Sequence, residues 1–369
     1  MNRGRRGLDP ALEETAYALN QSRWGAFRRV VLPQLRPAML GGSLLVGLHL
    51  LSEFGALQML RFPTFTTAIY DQYRSTFNGA AANMIAGVLV LCCVLLLAAE
   101  LRLRGHRRYA RVSHGAQRPV ERQRLGLAGW PTGLLLAGVV GLAVGVPAYS
   151  LLHWLTVGSS TAFPLHDLIG AAGTSLGLGA AAAALTVLLA IPVAWLAVRY
   201  RNVLSTAVER STYVTNALPG IVVALALVTV SIRVVQPIYQ TYVLLLLAYA
   251  MMFLPRAVVS VRAALEQAPV VLDDVAHSLG TGSLATARRV TLPIIAPGIG
   301  AGAALVFLAV ATELTATLML APIDTATLAT KFWSASSSVA YGAAAPYALL
   351  MVLISVPATI LLGRQSVLG

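Results

Sequence analysis

Eight stretches of this chain stay apolar for about the 20 residues a helix needs to cross ~30 Å of hydrocarbon. They lie near residues 38–60, 79–99, 130–157, 170–198, 211–232, 242–261, 294–320 and 343–363. Backbone in hydrocarbon must satisfy its own hydrogen bonds, and runs of this length do so as helices. The expected fold class is therefore all-α integral membrane, a polytopic helical bundle of about eight spans. The composition agrees: of 369 residues 57% are hydrophobic and 11% charged, with a mean hydropathy of +0.74. Pro192, Pro219 and Pro255 fall inside these segments and are read as kinks.

A net charge of +13 raises the question of nucleic acid, and the placement of the charge answers it. Arginines gather before the first span (Arg3 to Arg36), between spans two and three (Arg102 to Arg124), at Arg199, Arg201 and Arg210, at Arg256, Arg262, Arg288 and Arg289, and at Arg364. These are alternate loops. The intervening ones hold only Arg61, Arg74, Arg233 and Lys331, so 23 of the 27 basic residues share one side, which the positive-inside rule makes cytoplasmic. The expectation is a multi-pass membrane protein with both termini on the cytoplasmic side, partnered by the bilayer and not by nucleic acid. Cys92 and Cys93, adjacent in an apolar span, read as packing residues. Met1 to Gly7 is basic but leads into a polar segment, unlike a cleavable signal.

The chain repeats itself. Leu12-Glu-Glu-Thr-Ala16, Leu19-Asn20 and Arg28-Arg29-Val-Val-Leu-Pro33 align without gaps with Leu272-Asp-Asp-Val-Ala276, Leu279-Gly280 and Arg288-Arg289-Val-Thr-Leu-Pro293, every pair differing by 260. The same offset carries Pro37 onto Pro297, Glu53 onto Glu313, Met59-Leu60 onto Met319-Leu320 and Thr67 onto Thr327. Each copy begins in a cytoplasmic loop and runs into a span, so the repeat is parallel, with a pseudo-two-fold axis along the membrane normal. The domain division that follows is a remnant of a first half at 1–100 (loop 9–37, spans 38–60 and 79–99) and an Arg-rich linker at 101–129. A complete six-span second half follows at 130–369, with its loop at 262–293. By this symmetry a full chain has twelve spans, and this one is expected to be shortened at its N-terminus by four.

Local chemistry makes each loop two short helices with a bend. Asp9 can cap the first, Pro10 suits its first turn, and Glu13 and Glu14 favour the positive end of the dipole. Asn20 and Gly280 occupy the same position and are the residue types that best tolerate the left-handed helix end. Ser22 and Ser283 are candidate caps for the second helix, and the Arg pairs close it before Leu-Pro stops it.

Acid, x, Ala, three residues, Gly or Asn, nine residues, aliphatic, x, Leu, Pro: this pattern resembles the EAA loop of ABC importer permeases, most closely at Asp274-Val-Ala276, Gly280, Val290 and Leu292-Pro293. The resemblance implies a MetI-like, type I importer permease whose loop is a coupling helix seated on an ATP-binding subunit. Carried over residue by residue, the coupling set is Glu13, Glu14, Ala16, Asn20, Asp273, Asp274, Ala276, Gly280, Arg288 and Pro293. Ser52-Glu-Phe-Gly55, Thr64 to Tyr70, Leu218-Pro-Gly-Ile221 and Glu313 to Leu320 are similar to the fused ferric iron permeases, although thiamine, sulfate and polyamine permeases share some of the wording. What this implies is ferric iron as cargo, two ATP-binding cassette subunits and an extracytoplasmic solute-binding protein as partners, and ATP and Mg held by the partner.

Glu53 and Glu313 are acids inside otherwise apolar spans, each 20 residues beyond its loop proline. An intramembrane carboxylate is costly enough to point to function, here a translocation path or outer gate with oxygen donors suited to a hard ion. The competing reading is an acid satisfied by backbone or hydroxyl groups at a helix break. Segments 61–78 and 321–341 are either plain outer loops or part of a docking face for the binding protein. The histidines show no ligand spacing, so no permanent metal site is expected. No GxxxxGK[ST] occurs, so no P-loop holds ATP here and no catalytic role is expected. An ion-gradient-driven transporter leaves the doubled loop unexplained, and a membrane-embedded enzyme lacks a convergent catalytic set.

Overall fold

A computed structural model describes residues 15–104, 126, 129–157, 163–200, 202, 203, 205, 207, 208, 211, 215 and 218–368. Asp9, Pro10, Glu13, Glu14 and most of the Arg-rich linker lie outside the described residues. Every regular element among the described residues is helical. In chain order the principal ones are α1 (Leu32–Ser52), α2 (Gly55–Met59), α3 (Phe65–Arg74), α4 (Gly79–Arg104), α5 (Gly129–Val140), α6 (Val146–Thr156) and α7 (Leu165–Arg199). They continue with α8 (Gly220–Arg233), α9 (Tyr242–Gln267), α10 (Val270–Ser278), α11 (Leu292–Ala311), α12 (Thr315–Leu320), α13 (Leu328–Ser337) and α14 (Tyr341–Leu368).

Among the described residues six helices are long and apolar enough to cross a membrane, at Gly79–Ala99, Gly129–Thr156, Leu165–Arg199, Tyr242–Gln267, Ser283–Ala311 and Tyr341–Ile360. A seventh span results if Arg23–Arg36 and Met39–Ser52, bent by 46° against each other, are taken as one. Within the expected span at 211–232, residues 212–214, 216 and 217 lie outside the described residues. The helix described there is α8, 14 residues long and so ~21 Å at about 1.5 Å per residue. The expected kink at Pro219 is corrected: this residue stands at the N-cap with φ −60° and ψ 141°, so it starts α8 instead of bending a continuous helix. Pro192 and Pro255 do lie inside α7 and α9.

The chain divides into two compact units, residues 1–51 with 91–146 and residues 52–90 with 147–369. The first carries the first loop copy. The second has its core where α7, α9 and α11 pack on one another. Small residues allow that contact, as close helix crossings in lipid require. A Cβ added at Gly298 of α11 would stand 2.3 Å from the Ala264 Cβ of α9, and one at Gly179 of α7 2.9 Å from the Phe307 ring. One end of this core is the buried cluster Ala194, Val261, Leu265, Ala268 and Ile295. The other gathers Leu168, Ala171, Leu328 and Tyr347, and there Ser175 Oγ accepts from the Leu328 amide at 2.9 Å.

Candidate functional site

Both loop copies form, and their geometry follows from the residues at the bend. Asn20 has φ +58° and Gly280 φ +80°, the left-handed conformation that ends the preceding helix. The accompanying bonds match: Gln21 N to Ala16 O at 3.0 Å and Asn20 N to Tyr17 O at 3.0 Å in one copy, Thr281 N to Ala276 O at 3.1 Å and Gly280 N to His277 O at 2.9 Å in the other. Those two bonds are the Schellman pair, which satisfies carbonyls a helix end would otherwise leave open. Ala16 and Ala276 are buried under the bend. Asp274, Arg288 and Pro293 are exposed beside it, as are Asn20 and Gly280.

Three expectations for the loops are corrected. Ser22 caps its helical turn, its Oγ accepting from Gly25 N at 3.1 Å, but in the second copy the cap position is Gly282, with no side-chain bond, and Ser283 is the first helical residue. Leu-Pro does not stop the helix. Both copies pass through a π turn, Phe27–Val31 and Ala287–Thr291, straight into α1 and α11. Proline lacks an N–H and crowds the carbonyl four residues back, and one widened turn just before Pro33 and Pro293 absorbs that conflict. Finally, Arg256 and Arg262 are not in a loop, because α9 runs on to Gln267. Arg256 lies over the Phe253 ring at 5.1 Å, and Arg262 Nε donates to Glu266 Oε1 at 2.8 Å.

Asp273 behaves differently from its neighbour. Its carboxylate is turned inward, with Oδ2 2.8 Å from Arg199 Nη2 at the end of α7 and Oδ1 accepting from Thr291 Oγ1 at 2.8 Å. Nothing in the sequence marks this pair, since 74 residues separate Arg199 from Asp273.

Glu53 and Glu313 stand at equivalent breaks. α1 ends at Ser52 and α11 at Ala311, well short of the 60 and 320 expected, and a new short helix starts after each. Glu53 Oε1 accepts from Ala56 N at 3.1 Å and Glu313 Oε1 from Ala316 N at 3.1 Å. A carboxylate that accepts from a helix's first amides favours the break, because it satisfies donors the helix start leaves open. A hydroxyl bonds each break's carbonyl, from positions the repeat does not relate: Thr66 Oγ1 donates to Glu53 O at 2.7 Å and Thr317 Oγ1 to Glu313 O at 2.8 Å. Thr317 is also bonded to Tyr249 OH at 2.7 Å, which fixes the second break to α9.

The two breaks are close together. A Cβ placed at Gly55 would lie 3.6 Å from Leu314 Cδ2 and 3.9 Å from Glu53 Oε1, and one at Gly220 would lie 3.6 Å from Glu313 Oε1. The start of α8 therefore sits against the second acid. Phe54, buried, packs its ring at a tilt against Tyr70, centroids 4.9 Å apart, and against Trp333, 5.4 Å apart, joining residues from both copies. The arrangement is two capped carboxylates beside an apolar plug. Beyond them the 260 offset fails. Thr64 and Thr327, each bonded reciprocally with the threonine three residues on, cap the ten-residue helices α3 and α13. Thr327 thus matches Thr64 and not Thr67, an offset of 263, because α12 ends one residue later than α2 on the 260 offset and the stretch after it is two residues longer. Among the described residues no three of His, Cys, Asp and Glu converge as metal ligands would.

The sequence profile of the binding-protein-dependent transport system inner membrane components matches residues 1–104 and 186–366. The chain belongs to this family. It is 39% identical over 352 residues to the Fe(3+)-transport system permease protein FbpB 2 of Haemophilus influenzae, an overlap of 94% of this chain and 69% of that one. It is 24% identical to the ferric transport system permease protein FbpB of Actinobacillus pleuropneumoniae over 95% of this chain and 53% of the relative. A sulfate transport system permease protein, CysT of Escherichia coli, is 37% identical across 24% of this chain. The chain thus spans about two thirds of the first relative and about half of the second. It is a multi-pass membrane permease of an ABC transport system, a transport component.

Proposed function

We propose that this chain forms part of the path by which ferric iron crosses a cytoplasmic membrane, with both termini inside and its two bent loops receiving two ATP-binding cassette subunits. ATP and Mg belong to those subunits, and a solute-binding protein delivers the ion from outside. The chain itself breaks no bond. The reading rests above all on the doubled loop, whose two copies share a left-handed end, a buried alanine and a π turn at the entry to a span. Iron as cargo is supported by the 39% identity to the Haemophilus influenzae permease. Glu53 and Glu313 serve as oxygen donors at an outer constriction that opens when the halves rock apart. The ten loop residues from Glu13 to Pro293 named above form the coupling set, Asp273 from within and Asp274 from the exposed face.

Co-purification with the cognate ATP-binding subunit tests this. The wild-type chain is expected to retain that subunit and to respond to loaded binding protein with faster ATP hydrolysis. Gly280→Pro and Ala276→Asp should insert normally and lose the response. Retained stimulation in both variants, or no ATP-binding subunit on the wild type, refutes the coupling role.

A further inference from the structure

Neighbouring residues on a helix point about 100° apart, so Asp273 and Asp274 cannot serve one partner. Asp274 is exposed. The Asp273 side chain is 17% exposed and the Arg199 side chain facing it 11%. At 2.8 Å the two are an ion pair, although Nη2 does not approach along a hydrogen-bonding direction, and Arg199 Nε is buried with no hydrogen-bond partner among the described residues. The guanidinium also lies over the Trp195 ring at 5.6 Å, and Trp195 packs on the buried cluster of Ala194, Val261, Leu265, Ala268 and Ile295. With Thr291 on its other oxygen, one carboxylate joins α10, the end of α7 and the π turn that opens α11.

Among the described side chains of α10, Val271, Leu272 and Val275 are exposed, and the buried one is Ala276, too small to resist a sliding motion. We infer that Asp273 is a positioning residue that locks α10 to α7 and α11, so that a push on the Asp274 face moves the spans instead of swinging α10 about its ends. This rests on the coupling role proposed above. It also makes the two loops unequal. The 260 offset sets Glu13 opposite Asp273 but Val31 opposite Thr291, so the first copy has no hydroxyl at that place.

Two measurements on the full chain in nanodiscs decide the matter. A spin label at Leu279, 77% exposed at the end of α10, reads the anchoring without any partner. Asp273→Asn and Arg199→Met should sharpen its spectrum toward higher mobility, Thr291→Val should do so less, and the exchange Arg199→Asp with Asp273→Arg should return it toward wild type. With the ATP-binding subunit and ferric ion on its binding protein, ATP consumed per ion transported should rise about two- to thirtyfold in Asp273→Asn, with the exchange partly restoring the ratio. Loss of fold alone would change expression and transport without this recovery. Unchanged label mobility in Asp273→Asn and Thr291→Val, or an exchange no better than either single change, overturns the inference. A wild-type chain that binds no ATP-binding subunit refutes the function proposed above and leaves the mobility result to decide the anchor.

Discussion

Substituting alanine for Gly298 isolates the contact that holds the bundle together. The new Cβ would stand 2.3 Å from the Ala264 Cβ, 3.6 Å from the Ala264 Cα and 3.2 Å from the Ser260 carbonyl oxygen. Carbon atoms rest about 3.5–4.0 Å apart, so α11 and α9 must separate by over ~1 Å, and neither Cβ can rotate away. Overpacking of this kind costs roughly 1–3 kcal/mol. The fixed backbone puts this case at the upper end, and alanine's advantage over glycine in a helix returns up to about 1 kcal/mol. The expected net loss is about 2 kcal/mol, a fall of several degrees in the melting temperature. Thermal unfolding in detergent followed by size-exclusion chromatography reads it. Gly170→Ala, where an added Cβ meets nothing within 4 Å, should be neutral or mildly stabilising. Ala264→Gly placed in the Gly298→Ala chain should recover most of the loss, because it removes the colliding atom. A Gly298→Ala chain melting at or above wild type, with the Gly170→Ala control behaving as expected, would refute the close crossing of α9 and α11.

Glu313→Gln keeps an acceptor for the Ala316 amide and should leave stability within ~0.5 kcal/mol, whereas Glu313→Ala loses the cap and about 1 kcal/mol. Iron uptake in the glutamine variant is expected to fall, and wild-type uptake would remove the charge from the path. Gly280→Ala should lower stability by roughly 1–2 kcal/mol because φ is +80° there. Asn20→Gly should change it by no more than a few tenths of a kcal/mol, both read by thermal unfolding. With Cys92 and Cys93 replaced by alanine, a thiol introduced at Ser283 should react only with reagent applied from the cytoplasmic side and one at Asp324 only from the outside. The reverse pattern would invert the topology.

The candidate site was readable in the sequence wherever a residue type by itself dictates a conformation. Asn20 and Gly280 announced a left-handed turn because few side chains tolerate it, and the structure has it at both. The broken spans were harder. Glu53 and Glu313 were visible as acids in apolar surroundings, but whether such a carboxylate serves cargo or a backbone amide depends on where the next helix begins, and their bonds to Ala56 and Ala316 give them a cap's geometry. Gly282 took the cap position expected for Ser283, since a cap is chosen by the entry angle of the chain as well as by side-chain chemistry.

Hydropathy and periodic repetition depend on composition along the chain, so the membrane-spanning helices, the doubled loop and its alternation of charge could be found from the residues alone. Contacts between distant segments carry no such signature. The ion pair of Arg199 with Asp273, the meeting of Gly298 with Ala264, the closeness of Gly55 to Leu314 and the three-residue shift that pairs Thr64 with Thr327 arise only when the helices pack. Packing is decided by which surfaces fit at van der Waals distance, a property of pairs of helices that no single stretch of sequence contains.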